Sequence, residues 1–413
     1  MLQLDLINTV AFGGIILFAG YAIRKVIKPL ARYNVPAPIV GGLLVAVAVL
    51  IARRYGVQLF QFDTTLQSPL MIAFFTTIGF GASFGLLRIG GLQVLIFFAI
   101  ATVFAILQNI IGALIAVLFD LNPLFGVLAG SVTLTGGPAT GLAFAPLFEQ
   151  AGVTGAASVA VAAAMAGIIS GGIIGGPVGT FLIERHKLSG RRSGALYEAE
   201  LRAPTAENIV EEKLEEPLKV TPAGEDVESY ALLKSLVIIL AAMWMGTWVS
   251  KWFAGMGLTL PAYIGAMLVA AVIRNLDDVT KIFKLSQQTI DDIGNVALSL
   301  FIVMALMTLK LWELAGLALP LIAVLAAQVI AVAAVCFWPI FQIMGKDYDA
   351  AVMSGGFCGF MLGTTANSMA NMKALVERYG SARRAFLVVP MVGAFFIDFT
   401  NALIITICLN IWA

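Results

Sequence analysis

Apolar residues in this chain fall into long runs rather than amphipathic stripes, at 7–23, 39–52, 70–87, 92–119 and 153–183, and again at 232–249, 262–273, 293–309, 315–344 and 385–412. A helix of about 20 residues crosses a bilayer core about 30 Å thick, and it satisfies its own backbone inside hydrocarbon. The pattern therefore predicts an all-α polytopic membrane protein with about ten transmembrane helices. Between the two sets lies a polar stretch, 184–230, with Arg185, Lys187, Arg191 and Arg192, then Glu211, Glu212, Glu215 and Glu216 among Pro217, Pro222 and Gly224. It reads as a solvated linker. The chain is thus divided into an N-terminal transmembrane half (1–183), the linker (184–230) and a C-terminal transmembrane half (231–413).

The two halves repeat one another. Pro36-Ala37-Pro38-Ile39-Val40-Gly41-Gly42-Leu43-Leu44-Val45-Ala46 is answered by Leu260-Pro261-Ala262-Tyr263-Ile264-Gly265-Ala266-Met267-Leu268-Val269-Ala270. Gln108 and Gln328 each interrupt a long apolar run that precedes a glycine-rich segment. Leu147-Phe148-Glu149-Gln150-Ala151-Gly152 then finds its counterpart in Leu375-Val376-Glu377-Arg378-Tyr379-Gly380. Basic residues in short loops stay on the cytoplasmic side. With the N-terminus outside, that side receives Arg24, Lys25, Lys28, Arg32, Arg88, the linker, Arg274, Lys281, Lys284, Lys346, Arg378, Arg383 and Arg384; the external side keeps Arg53, Arg54, Lys251 and Lys310. Five spans per half invert the second half relative to the first. Both termini are then outside and the linker is cytoplasmic, the plan of secondary transporters built from inverted repeats.

Two segments do not suit a spanning helix. The first is Gly130-Ser131-Val132-Thr133-Leu134-Thr135-Gly136-Gly137-Pro138-Ala139-Thr140-Gly141, and the second runs from Ser354 through Gly363-Thr364-Thr365-Ala366-Asn367 to Asn371. Glycine and proline release backbone groups that lipid cannot satisfy, so each segment must be buried in protein or line a wet cavity. Re-entrant hairpins entering from opposite sides, with tips meeting near mid-membrane, meet that requirement. Helix N-termini at the tips suit a carboxylate, and unwound carbonyls with threonine hydroxyls suit Na⁺. The substrate-binding candidates are Thr133, Thr135, Gly136, Gly137, Thr140, Gly363, Thr364, Thr365, Asn367 and Asn371. Gly171, Gly172, Gly175 and Gly176 lie inside a continuous run and read as close helix packing.

Asp398, in Phe395-Phe396-Ile397-Asp398-Phe399-Thr400-Asn401, is the clearest intramembrane acid, and such a charge faces a partner or water. Asn401 shares its helix face. Both join the substrate candidates, and Asp398 is also a candidate for Na⁺, as are Thr77, Asn295 and Ser299, which interrupt the third and eighth runs. The hydroxyls have a second reading, bonding back to their own helix. His186 reads as a solvated residue.

Composition agrees with a membrane carrier. Hydrophobic residues make up 60% of the 413 positions and charged ones 12%, with a mean hydropathy of +0.96, far from the near-quarter charged content of a soluble domain. A net charge of +1 gives no basic face for nucleic acid. Cys336, Cys358 and Cys408 match neither metal nor disulfide spacing. An intramembrane enzyme lacks a second acid or a histidine beside Asp398.

The sequence resembles the bacterial sodium/glutamate symporters, the glutamate:Na⁺ symporter family, outside the linker. The resemblance rests on Pro38-Ile39-Val40-Gly41-Gly42-Leu43-Leu44-Val45-Ala46, Pro69-Leu70-Met71-Ile72-Ala73-Phe74-Phe75-Thr76-Thr77-Ile78-Gly79, Gly294-Asn295-Val296-Ala297-Leu298-Ser299-Leu300-Phe301, Leu309-Lys310-Leu311-Trp312-Glu313-Leu314-Ala315 and Phe386 through Asp398. It implies Na⁺-coupled symport of glutamate or a related acidic amino acid across a bacterial inner membrane, and a homodimer with an elevator-type transport domain. Two tips depart from the family pattern: Pro138 replaces a histidine in the first, while Phe357 and Asn367 replace a histidine and a proline in the second. A carrier for a dicarboxylate or hydroxycarboxylate, or a channel with a two-hairpin filter, are the alternatives.

Overall fold

The computed structural model describes residues 2–189, 227–256, 260–314 and 316–412, so most of the expected linker lies outside it. In chain order the helices are α1 (Leu6–Val26), α2 (Lys28–Arg32), α3 (Ala37–Arg54), α4 (Gln67–Gly81), α5 (Phe84–Leu118), α6 (Pro123–Val127), α7 (Gly137–Gln150) and α8 (Ala156–Arg185). They continue with α9 (Val227–Gly255), α10 (Ala262–Thr280), α11 (Gln287–Met307), α12 (Ala318–Val335), α13 (Tyr348–Met361), α14 (Thr365–Tyr379), α15 (Arg383–Met391) and α16 (Ile397–Trp412). The sheet departs from the all-α expectation: Leu2–Leu4 and Phe60–Phe62 pair as short parallel strands, β1 and β2. Their apolar-polar-apolar alternation has period two, and Phe60 and Phe62 pack with Phe12 of α1 at ring separations of 5.4 and 6.0 Å.

Among the described residues, seven helical stretches are long and apolar enough to cross a membrane: Leu6–Val26, Ala37–Arg54, Gly91–Leu118, Ala156–Arg185, Ser229–Gly255, Gln287–Met307 and Ala318–Ile343. The other three runs fold differently. α4 stops after 15 residues, and α10 carries Arg274, Asp277 and Asp278 in its last turns. The final run is split by a π-turn at Val392–Phe396, two residues after Pro390, into α15 and α16.

The chain divides into two compact units, each drawing on both sequence halves: Met1–Ala22, Ala37–Ile89 and Glu207–Thr308 form unit 1, and Ile23–Pro36, Gly90–Ala206 and Leu309–Ala413 form unit 2. Unit 1 has one core around Val45, Val303, Met304 and Met307 and another around Phe80, Ile239, Ala242, Ala270 and Ile290. The repeated proline motif begins a helix each time, since proline fits a helix start and lacks only an N–H that is unused there. Asp277 closes the turn after α10 by accepting from the N–H groups of Phe283, Lys284 and Leu285.

Unit 2 is built against α8. Gly167, Gly171, Gly175 and Gly179 recur every fourth residue, and a Cβ added at any of them meets α13, α14 or the bend between them: the Leu362 carbonyl from Gly167, Leu362 and Gly359 from Gly171, Asn371 and Gly355 from Gly175, Leu375 from Gly179. The packing reading thus holds for Gly171 and Gly175. Gly172 faces only the Tyr33 ring at 3.6 Å, and Gly176 faces open space.

Candidate functional site

Each glycine-rich segment is a pair of helices with a break between them. Asn122 caps α6 by accepting from the Leu124 N–H at 2.9 Å, and Pro123 occupies the first turn. The helix distorts at Gly130, with φ −97° and ψ −127°, and resumes at α7 through Gly137, whose φ of +70° favours glycine. Pro138 then sits in the first turn of α7, so it suits the start of this helix without any role for a side-chain donor. Two asparagines fasten the distorted peptide. Asn109 of α5 accepts from the Ser131 N–H at 3.0 Å, and Asn401 of α16 donates to the Ser131 carbonyl at 2.9 Å. Thr133 donates to the Leu128 carbonyl at 2.8 Å, repairing one bond lost at the break.

The second break is sharper. α13 is capped by Asp347, which accepts from the Ala350 N–H at 2.9 Å. It ends at Met361, and α14 starts at Thr365 with Thr364 as its cap, accepting from the Asn367 N–H at 3.4 Å. Asn367 and Asn371 point away from the break into α8, donating to the carbonyls of Ile168 at 2.7 Å and Gly171 at 2.9 Å. Phe357 lies fully buried among Phe97, Phe104 and Phe360, so it belongs to the core beneath the break.

One side chain joins the two breaks. Gln108, buried in the C-terminal third of α5, accepts from the Thr135 hydroxyl at 2.6 Å and donates to the Met361 carbonyl at 3.0 Å. Its own carbonyl accepts from Gln328 of α12 at 2.6 Å. The Gly363 carbonyl lies 3.8 Å from the Cβ position of Gly137, so the ends of the two breaks adjoin. The two glutamines, read from the sequence only as repeat landmarks, are therefore the cross-link of the site. Their signal was a buried amide in a long apolar run.

Of the candidates in unit 2, Gly136, Thr364, Thr365 and Asp398 are partly exposed, while Thr133, Thr135, Gly137, Thr140, Gly363, Asn367, Asn371 and Asn401 are buried. Asp398 has no hydrogen-bond or ion-pair partner among the described residues, whereas neighbouring Thr400 bonds back to Phe396 and Ile397. Thr77, Asn295 and Ser299 belong to unit 1, and Asp398 belongs to unit 2. Thr77 and Thr76 bond back to Phe74 and Ile72, both at 2.7 Å, as helix hydroxyls do. Asn295 is exposed and Ser299 half-buried. His186 lies exposed at the end of α8 against the Phe341 ring, 4.8 Å away.

Comparison with known proteins places this arrangement. The family model described as sodium/glutamate symporter matches residues 2–381. The sodium/glutamate symporter of Escherichia coli (strain K12) is 41% identical over 410 residues, covering 99% of this chain and 98% of that protein. The one from Haemophilus influenzae is 39% identical over 403 residues, covering 97% and 96%. Likeness of that extent, over the full set of helices that carry the two breaks, means that the chain is an integral membrane protein of the sodium/glutamate symporter family.

Proposed function

We propose that this chain is a secondary active transporter carrying glutamate or a related acidic amino acid together with Na⁺ across the bacterial inner membrane. The observation that carries the reading is the adjoining pair of helix breaks, tied through Gln108. A helix N-terminus presents free N–H groups and a positive dipole end to an anion. α7 and α14 both begin at these breaks, so a substrate carboxylate has donors from two directions. Thr364, Thr365 and Gly136 are the exposed tip groups that meet it, and Asp398 faces the cation or the substrate ammonium. Thr133, Thr135, Thr140, Asn367 and Asn371 act chiefly by shaping the breaks.

The finer architecture belongs to the same proposal. Ten spans in two inverted halves, 1–183 and 231–413, bring the breaks in as re-entrant hairpins from opposite sides, with both termini outside and the linker in the cytoplasm. The distribution of basic loop residues supports this. Unit 2, which contains both breaks, is the transport domain of an elevator-type homodimer. Uptake of labelled glutamate into proteoliposomes tests the function: it should require an inward Na⁺ gradient, and uptake that persists with Na⁺ replaced by choline on both sides refutes coupling. Reporter fusions at each terminus and in the linker test the topology.

A further inference from the structure

We propose that Ser131 Oγ, Asn401 Oδ1 and the Asp398 carboxylate form a Na⁺ site beside the first helix break. The inference rests on the symport reading above and assigns one of its cation sites to named atoms.

The argument begins with how the amide side chains of unit 2 are oriented. Five of the buried ones spend an N–H on a backbone carbonyl: Gln108 on Met361, Gln328 on Gln108, Asn367 on Ile168, Asn371 on Gly171 and Asn401 on Ser131. What remains is oxygen. Buried without a hydrogen-bond partner among the described residues are Gln328 Oε1, Asn367 Oδ1, Asn401 Oδ1 and Ser131 Oγ. A buried polar atom left unpaired is costly, and three of these four atoms are amide oxygens that can only accept, which an anion cannot use. Lone pairs from hydroxyl, amide and carboxylate oxygens are the ligands of a hard cation.

Two of these oxygens belong to residues already in contact. Ser131 and Asn401 are both fully buried and are joined by the 2.9 Å bond from Asn401 Nδ2 to the Ser131 carbonyl. That carbonyl also accepts from the N–H groups of Thr135 and Gly136 at 3.2 and 2.9 Å, so it has no lone pair to spare. The Ser131 hydroxyl and the Asn401 amide oxygen are the free groups. Asp398 lies three residues before Asn401 on the same helix face and has no partner among the described residues. It supplies the negative charge that makes the set selective for a cation over a water molecule. The peptide between Gly130 and Val132 is held from both sides by Asn109 and Asn401, which fixes the hydroxyl's position before an ion arrives. A cation here bridges α16 to the break, so its binding orders the segment that leads into α7 and the substrate tip. Na⁺ binding and substrate binding are thereby linked.

The test is thermal unfolding of purified full-length protein in detergent, titrated with NaCl against choline chloride at constant ionic strength. The wild type should gain stability as Na⁺ rises, because an ion that binds the folded state alone raises the melting temperature. Ser131→Ala removes an oxygen that bonds nothing in the protein, so in choline it should melt at or above the wild type. In Na⁺ its apparent affinity should fall roughly tenfold to a hundredfold, the loss of one contact to a charge. Asn401→Asp, which keeps an oxygen at Oδ1, should keep Na⁺ stabilisation, whereas Asn401→Ala should lose it. Full Na⁺ stabilisation in both alanine variants overturns the site while leaving symport intact. A wild type indifferent to Na⁺ overturns symport and the site together.

Discussion

Gln108 offers the sharpest test of how the two breaks are held. Gln108→Leu keeps the volume of the side chain and removes its amide. The Thr135 hydroxyl, now 2.6 Å from Gln108, then keeps only the weak acceptor Met361 Sδ at 3.2 Å, and the Met361 carbonyl, now 3.0 Å from Gln108, loses that donor in a buried site. Stranding a buried polar group costs about 1–3 kcal/mol, but interhelical hydrogen bonds in membrane proteins average only about 0.6 kcal/mol and reach about 1.7. One stranded carbonyl and one hydroxyl left with a sulfur acceptor therefore give an expected loss of about 1–3 kcal/mol. Part of it should be recovered when Thr135→Val is added, because the hydroxyl that lost its stronger acceptor in Gln108→Leu is then gone. The double-mutant cycle should show a coupling of about 1 kcal/mol. Reversible unfolding in mixed micelles with rising SDS fraction, followed by tryptophan fluorescence, measures all four proteins on one scale. A loss below about 0.5 kcal/mol in Gln108→Leu, or additivity within about 0.3 kcal/mol, would refute the claim that this amide ties the breaks together.

Gly175→Val, which drives a side chain into Asn371 and the Gly355 carbonyl, should destabilise by about 1–3 kcal/mol; Gly176→Ala, with nothing within 4 Å, should stay within about 0.5 kcal/mol of the wild type in the same unfolding assay. Asp398→Asn should abolish Na⁺-driven glutamate uptake into proteoliposomes while elution volume and helix content remain those of the wild type. Thr365→Val should raise the apparent constant for glutamate or Na⁺, and Thr76→Val should leave both unchanged, because its hydroxyl serves only the Ile72 carbonyl; equal effects of the two on uptake kinetics would count against the assignment of the tip.

Much of this was legible from residue pattern because lipid is an unforgiving solvent: a spanning segment must be apolar and helical, and glycine or proline in one is conspicuous. Helix breaks at 135–136 and 362–364 fell inside the segments singled out by composition. The three shorter or divided helices were less legible, since a 15-residue α4 and a helix split at Val392–Phe396 look apolar whatever their length or straightness. The short strand pair escaped notice because three alternating residues are no signal by themselves. At the site, threonines drew attention by their type, yet the Thr133 hydroxyl is spent on the backbone. The cross-linking role of Gln108 depends on α5, α7 and α13 meeting, which no local pattern encodes.

The line of glycines on α8 has a consequence for how this sequence tolerates change in length. Gly167, Gly171, Gly175 and Gly179 set how closely α13 and α14 approach, while Asn367 and Asn371 reach the carbonyls of Ile168 and Gly171. Approach is thus set by one helix and lengthwise position by the other. Removing a single residue between Ile168 and Gly171 turns everything beyond it by about 100°, swinging the later glycines out of the seam and moving one carbonyl out of step with its asparagine. Substitutions along this stretch of α8 trade off one contact at a time, but an insertion or deletion there disconnects both controls at once.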